Sequence, residues 1–108
     1  MGLNISSSVA QNIASAIASS VASGKITFSD DSEITVDIVF ASVGVYESEQ
    51  YAYCMLDMDF YVSEQKTITA LTYYDSQNNV VIVRDDLSLD TYVGNNTIRE
   101  IIKIQYQL

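Results

Sequence analysis

The side chains that most often do chemistry are scarce in this sequence. Histidine is absent from the 108 residues. That removes the usual general base near neutral pH, the commonest metal ligand and every Ser–His or Cys–His nucleophile arrangement. Cys54 is the single cysteine and stands inside an alternating apolar run. Without a second thiol there is no disulfide, no Cys-x-x-Cys pair and no zinc site, and its expected place is the interior, as a small hydrophobe. Carboxylates remain. Asp57 and Asp59 lie two apart and would share one face of a strand, where paired carboxylates can hold calcium or flank a glycosidic bond. Alternating charges opposite an apolar face are also the ordinary solvent side of a half-buried strand, and that is the reading adopted for them. Asp30 and Asp31, and Asp85, Asp86 and Asp90, fall among turn formers without the spaced oxygens and turn glycine of a calcium loop. The expectation is a protein with no catalytic residue, metal or cofactor.

Charge narrows the choice of partner. The net charge is -9, and the five basic residues, Lys25, Lys66, Arg84, Arg99 and Lys103, are scattered. Nucleic-acid binding draws its affinity from clustered Lys and Arg, so no nucleic-acid partner is expected. No Lys or Arg precedes Lys25, and no apolar stretch approaches the roughly 20 residues of a membrane span. Neither an export signal nor a membrane anchor is expected, which places synthesis in the cytoplasm. Met1-Gly2-Leu3-Asn4-Ile5-Ser6 does fit the N-myristoylation pattern at Gly2. One acyl chain without a basic cluster binds membranes only marginally.

Eight tyrosines stand out. Tyr51, Tyr53 and Tyr61 fall on one face of an alternating stretch, where they could contact another protein or stack on sugar rings, or else complete the sheet through cross-strand pairs.

The elements that would position these residues are legible from periodicity. Ile5, Val9, Ile13, Ile17 and Val21 recur every four residues, with Ala10, Ala14, Ala18 and Ala22 beside them. This predicts a helix with one apolar stripe, N-capped by Asn4 and closed by Gly24 in a left-handed conformation. A four-residue step drifts by about 40° each time, so the stripe winds round the axis. Its many serines and alanines permit close approach, either to its own sheet or to another chain.

After Gly24 the period becomes two. Lys25–Phe28 pairs with Glu33–Ala41 through the loop Ser29–Ser32, with Ile34, Val36, Ile38 and Phe40 on one face. Gln50–Val62 follows, its Ala52, Cys54, Leu56, Met58, Phe60 and Val62 turned to the core. Thr67–Tyr74 and Val80–Arg84 form a hairpin around Asp75–Asn79, Asp85–Asn96 runs over the surface, and Thr97–Leu108 closes the domain with Ile98, Ile102, Ile104, Tyr106 and Leu108 inward. The fold class is α+β, mainly β. An N-terminal amphipathic helix (1–24) precedes an antiparallel sandwich or barrel-like sheet of about six strands (25–108), the two forming one folding unit. No helix lies between strands, which excludes βαβ nucleotide-binding folds.

Two stretches carry a family resemblance. SSVAQNIASAIASSVASGKITF resembles the opening of small structural proteins of tailed bacteriophages, in which an Ala-rich helix ends at glycine before a Gly-Lys-Ile strand. ITALTYYDSQNNVVIVRDD, with IREIIKIQYQL, resembles the small β-domains of phage tail-fibre and collar proteins. The resemblance implies a non-enzymatic virion component of the tail, baseplate or fibre-attachment region, in contact with other virion proteins and with copies of itself. A head decoration or capsid-stabilising protein is the alternative within that class, and a carbohydrate- or ligand-binding β-module the alternative outside it. The contact surfaces would be the helix stripe (Ile5, Val9, Ile13, Ile17, Val21) and the sheet face (Tyr51, Tyr53, Tyr61).

Overall fold

The computed structural model describes residues 4–107. The elements run α1 (Ser7–Ser20), β1 (Ser23–Phe28), β2 (Glu33–Tyr46), a 3-10 turn (Glu47–Glu49), β3 (Tyr51–Val62), β4 (Thr67–Tyr74), β5 (Val80–Arg84), β6 (Leu89–Asp90) and β7 (Gly94–Gln105). The strands form one antiparallel sheet in the order β5-β4-β1-β2-β3-β7, with the two-residue β6 on β4. This sheet curls into a half-barrel. Leu108 and the Gly2 motif lie outside the described residues.

The curl originates in β2, which belongs to both halves. Ser23–Thr27 of β1 pair with Glu33–Asp37, whereas Ile38–Tyr46 pair with β3. Between Ile38 and Phe40 the register shifts by a bulge at Val39. An extra residue bends a strand and reverses the phase of its side chains. Ile34, Val36 and Ile38 therefore face the core, but Phe40, expected among them, pairs with Asp57 on the outer face and is half exposed. Beyond the bulge the strand continues five residues past Ala41, where its expected end lay.

The helix closes the inner face of β2, β3 and β7, lying chiefly over β3. Its N-cap is Ser6, not Asn4: Ser6 is extended and its Oγ accepts a hydrogen bond from the Val9 amide, satisfying a first-turn donor. Nor does Gly24 end the helix, which stops at Ser20 with Val21 already extended. Gly24 sits buried inside β1, where a Cβ would meet the Sδ of Met58 at 2.2 Å. Close approach, rather than a left-handed turn, is what requires glycine there. Ala10 and Ala14 are fully buried, and Ile26, Phe28, Cys54, Leu56, Met58, Leu71 and Tyr73 complete the largest part of the core. Burial pushes the Cys54 thiol pKa up.

Both expected loops are present. Asp30 accepts hydrogen bonds from the Ser32 amide and hydroxyl while Asp31 takes a positive φ, and Asp75 accepts the amides of Gln77 and Asn79 while Asn78 does the same. Such Asx turns tolerate left-handed residues and need no glycine. They also set an acid sensitivity. The Ser32 hydrogen bonds, with Lys66 beside them, hold the Asp30 carboxyl down to about 2. Asp57 is held low by Arg99, and Asp75 by the Asn79 amide. A carboxylate depressed in the folded state contributes stability above its unfolded pKa and loses it as pH falls through its folded one. The stability these three carboxylates contribute is thus expected to hold down to about pH 4 and to be lost towards pH 2, lowering the melting temperature there. Asp30→Asn keeps the turn acceptor but not the titration, so it should flatten part of that fall in a pH series of thermal melts. An unchanged slope would remove Asp30 from the account.

Candidate contact surfaces

The outer face of β2, β3 and β7 gathers aromatic side chains into a ladder. Tyr46 and Tyr51 are cross-strand partners with rings stacked 5.4 Å apart, and Tyr51 meets Tyr53 edge-on at 6.3 Å. The Lys103 ammonium lies 4.8 Å from the centre of the Tyr51 ring. Such contacts are favourable by about 0.5–1.5 kcal/mol beyond area burial, and they fix the rings rather than leaving them to solvent. Tyr53 lies across Gly44, whose missing Cβ would stand 2.3 Å from the Tyr53 hydroxyl. Phe40 (50% exposed), Tyr46 (49%) and Ile101 (45%) extend this face into solvent. Phe40, expected on the core face, is turned outward by the bulge; Tyr46 lies beyond the expected end of β2, and Ile101 is not among the expected contact residues.

Tyr61 does not join the ladder. It pairs with Asn95 at the opposite end of β3, ten residues and about 33 Å from Tyr51 at strand rise. Of the eight tyrosines, Tyr73 and Tyr106 belong to the core instead.

The helix stripe is divided between two uses. Val21 is buried, and Ile5 and Ile17 pack partly against the core, whereas Val9 and Ile13 are 44% and 40% exposed. At 100° per residue, the buried line runs through Ala10, Ala14, Ile17 and Val21. Gln11 and Ser15 on one flank line a small hollow with Val43 and Gly44 of β2. Val9 and Ile13 lie roughly 160° round from that pair and so face the β7 side.

Each carboxylate of the candidate pair is committed to β7. Asp57 is only 7% exposed and takes two hydrogen bonds of 2.9 Å from Arg99, its cross-strand partner; Asp59 accepts from Thr97, also directly opposite. The remaining cations are likewise engaged. Lys25 pairs with Glu33, Lys66 with Asp30 and Arg84 with Glu100. No cluster of three or more potential metal ligands occurs among the described residues, and no helix among them is long and apolar enough to cross a membrane.

No protein-family model, no curated protein and no solved structure matches this chain significantly.

Two further features were not anticipated. Glu100 is buried at 7% exposure on the inward side of β7, between Ile98 and Ile102. It accepts hydrogen bonds from the Tyr73 hydroxyl at 3.1 Å and from Arg84 Nε at 2.9 Å, tying β4 and β5 to β7 across the open side of the half-barrel. The second is a groove of about 450 Å³ beside the start of β7, floored by Phe60, Ile68 and Ile98 and walled by Leu89 and Tyr92. Its polar lining is largely committed to the fold: Asn96 bonds the Tyr92 backbone, Thr91 the Lys66 backbone, and Asp90 the Thr67 hydroxyl.

Proposed function

We propose that this chain is a non-enzymatic structural component of a tailed-phage virion, in the tail, baseplate or fibre-attachment region, acting through protein contacts in a multi-copy assembly. The observation that carries this reading is the outer face of β2, β3 and β7. A rigid ladder of Tyr46, Tyr51 and Tyr53 beside half-exposed Phe40 and Ile101 has the aromatic composition of interface cores. The chain's form agrees with it. Its 6641 Å² of accessible surface exceeds the roughly 6,000 Å² expected for a monomer of this mass, and it measures 47 × 28 × 25 Å. Exposed Val9 and Ile13 supply a smaller second contact on the helix.

Immunogold labelling of purified virions tests the location: regular labelling at the tail or baseplate is expected, and unlabelled particles would sink the reading. Phe40→Lys and Ile101→Lys, both at half-exposed sites, should leave the melting temperature nearly unchanged and reduce incorporation into particles by about tenfold or more, as expected of residues at an interface centre. Wild-type incorporation of both variants would remove this face from the assembly. The carbohydrate-module reading has one observation in its favour, the groove beside the 81% exposed Tyr92; a glycan array on the purified chain decides it.

A further inference from the structure

We infer that the free edge of β2, from Val39 to Tyr46, is a strand-addition site for an extended segment of another protein with an apolar centre and basic residues at both ends. The inference rests on the assembly reading above and names the partner of that surface. β1 leaves β2 after Asp37, and the last hydrogen bond on that side runs from the Ile38 amide to the Ala22 carbonyl. Beyond it Val39 is the bulged residue, Phe40 to Tyr46 pair only with β3, and no backbone hydrogen bond among the described residues reaches their other edge. A row of unpaired amides and carbonyls is a template for one kind of ligand, another strand.

Natural edges are guarded by charges, prolines or shortness. The other two edges follow that rule: β7 carries Arg99, Glu100 and Lys103, and β5 is five residues long, ends in Arg84 and is tied to Glu100. The β2 edge reads Val-Phe-Ala-Ser-Val-Gly-Val-Tyr, with neither charge nor proline, and is bulged only at its start. Val39, Phe40, Val43 and Tyr46 along it are 45–57% exposed. An added strand would extend the aromatic ladder on one face and pack beside Val43 on the other.

Charge selects the occupant. Asp37 stands at one end of this edge, and Glu47 and Glu49 at the other, all exposed and without an ion pair among the described residues. A second copy adding by two-fold antiparallel pairing would bring its Asp37 against Glu47 and Glu49, setting like charges together at both ends. A segment with basic ends meets attraction there in either direction.

The test uses the full chain and two synthetic peptides with the same alternating Val-Thr centre, one flanked by paired lysines and one by paired glutamates. The lysine-flanked peptide should bind at least about tenfold more tightly, with a preference that shrinks as salt rises. It should slow amide exchange in residues 39–46. Val39→Lys with Val43→Lys, at exposed positions, should abolish that binding while circular dichroism and the melting temperature stay near wild type. Equal binding of the two peptides, no binding at millimolar concentration, or protection appearing on β5 or β7 would overturn the inference. So would concentration-dependent dimerisation lost in the double variant, since the occupant would then be a second copy. Virion labelling is read independently of all these outcomes, so failure of the edge and failure of the assembly reading can be told apart.

Discussion

Arg84→Ala is expected to destabilise the fold by about 2–3 kcal/mol, which for a domain of this size lowers the melting temperature by on the order of 10 °C. The reason is the group it abandons. Glu100 is 7% exposed, and Arg84 supplies its charged donors while Tyr73 supplies one neutral hydroxyl. Removing one partner of a buried pair typically costs about 3–5 kcal/mol, because the other is left as an uncompensated charge. The Arg84 side chain is itself 46% exposed, so water partly replaces it and the lower figure applies. Arg84→Met combined with Glu100→Leu should recover only part of that loss: an apolar pair leaves no charge to compensate, but the buried Tyr73 hydroxyl loses its acceptor. A loss below about 0.5 kcal/mol for Arg84→Ala, the level of an ordinary surface substitution, would mean that the two sides of the half-barrel are held by packing alone.

Glu100 also marks how far the sequence could be read. Its inward phase was visible in the spacing Ile98, Glu100, Ile102, Ile104, but a carboxylate in an apolar series gives no sign of its partner. Arg84 lies 16 residues earlier on a strand that is not hydrogen-bonded to β7. The fold class, the hairpin loops and the alternation of β3 were legible because each is local: period two, Asx-turn residues and an apolar face need no knowledge of tertiary neighbours. The course of β2 was not, since a bulge adds one residue and the apolar phase changes side midway. Ser42 and Gly44 then look like a strand's end, although Gly44 is there to accept the Tyr53 ring. The candidate face was accordingly half legible. Tyr51 and Tyr53 were in hand, while Tyr46 and Phe40 depended on the bulge, and Tyr61 shares their parity without sharing their neighbourhood.

The helix presents the same problem in a form that a second substitution resolves. By hydropathy its adhesive residues are Ile5, Val9, Ile13, Ile17 and Val21, yet the two positions with no exposure at all are Ala10 and Ala14. Side-chain size explains the inversion. A helix lying directly over β3 approaches most closely where its residues are smallest, and the larger side chains straddle that line, Ile17 and Val21 along it and Val9 and Ile13 to one side. Ala14→Leu therefore forces three carbons into filled space, and the helix has to lift from the sheet. A cost of about 2–3 kcal/mol, the upper half of the range for overpacking, is expected from chemical denaturation. Ala16→Leu is the same chemical change on the exposed side and should stay within about 0.5 kcal/mol, because leucine and alanine differ little in helix propensity. Ile13→Ala, at 40% exposure, should cost well under the roughly 2–5 kcal/mol of a buried isoleucine. Were the order reversed, with Ile13→Ala severe and Ala14→Leu mild, the helix would be held by its hydrophobic stripe. The order expected from burial leaves Val9 and Ile13 as the part of that stripe not consumed by the fold, and so the only part of it free to meet another protein.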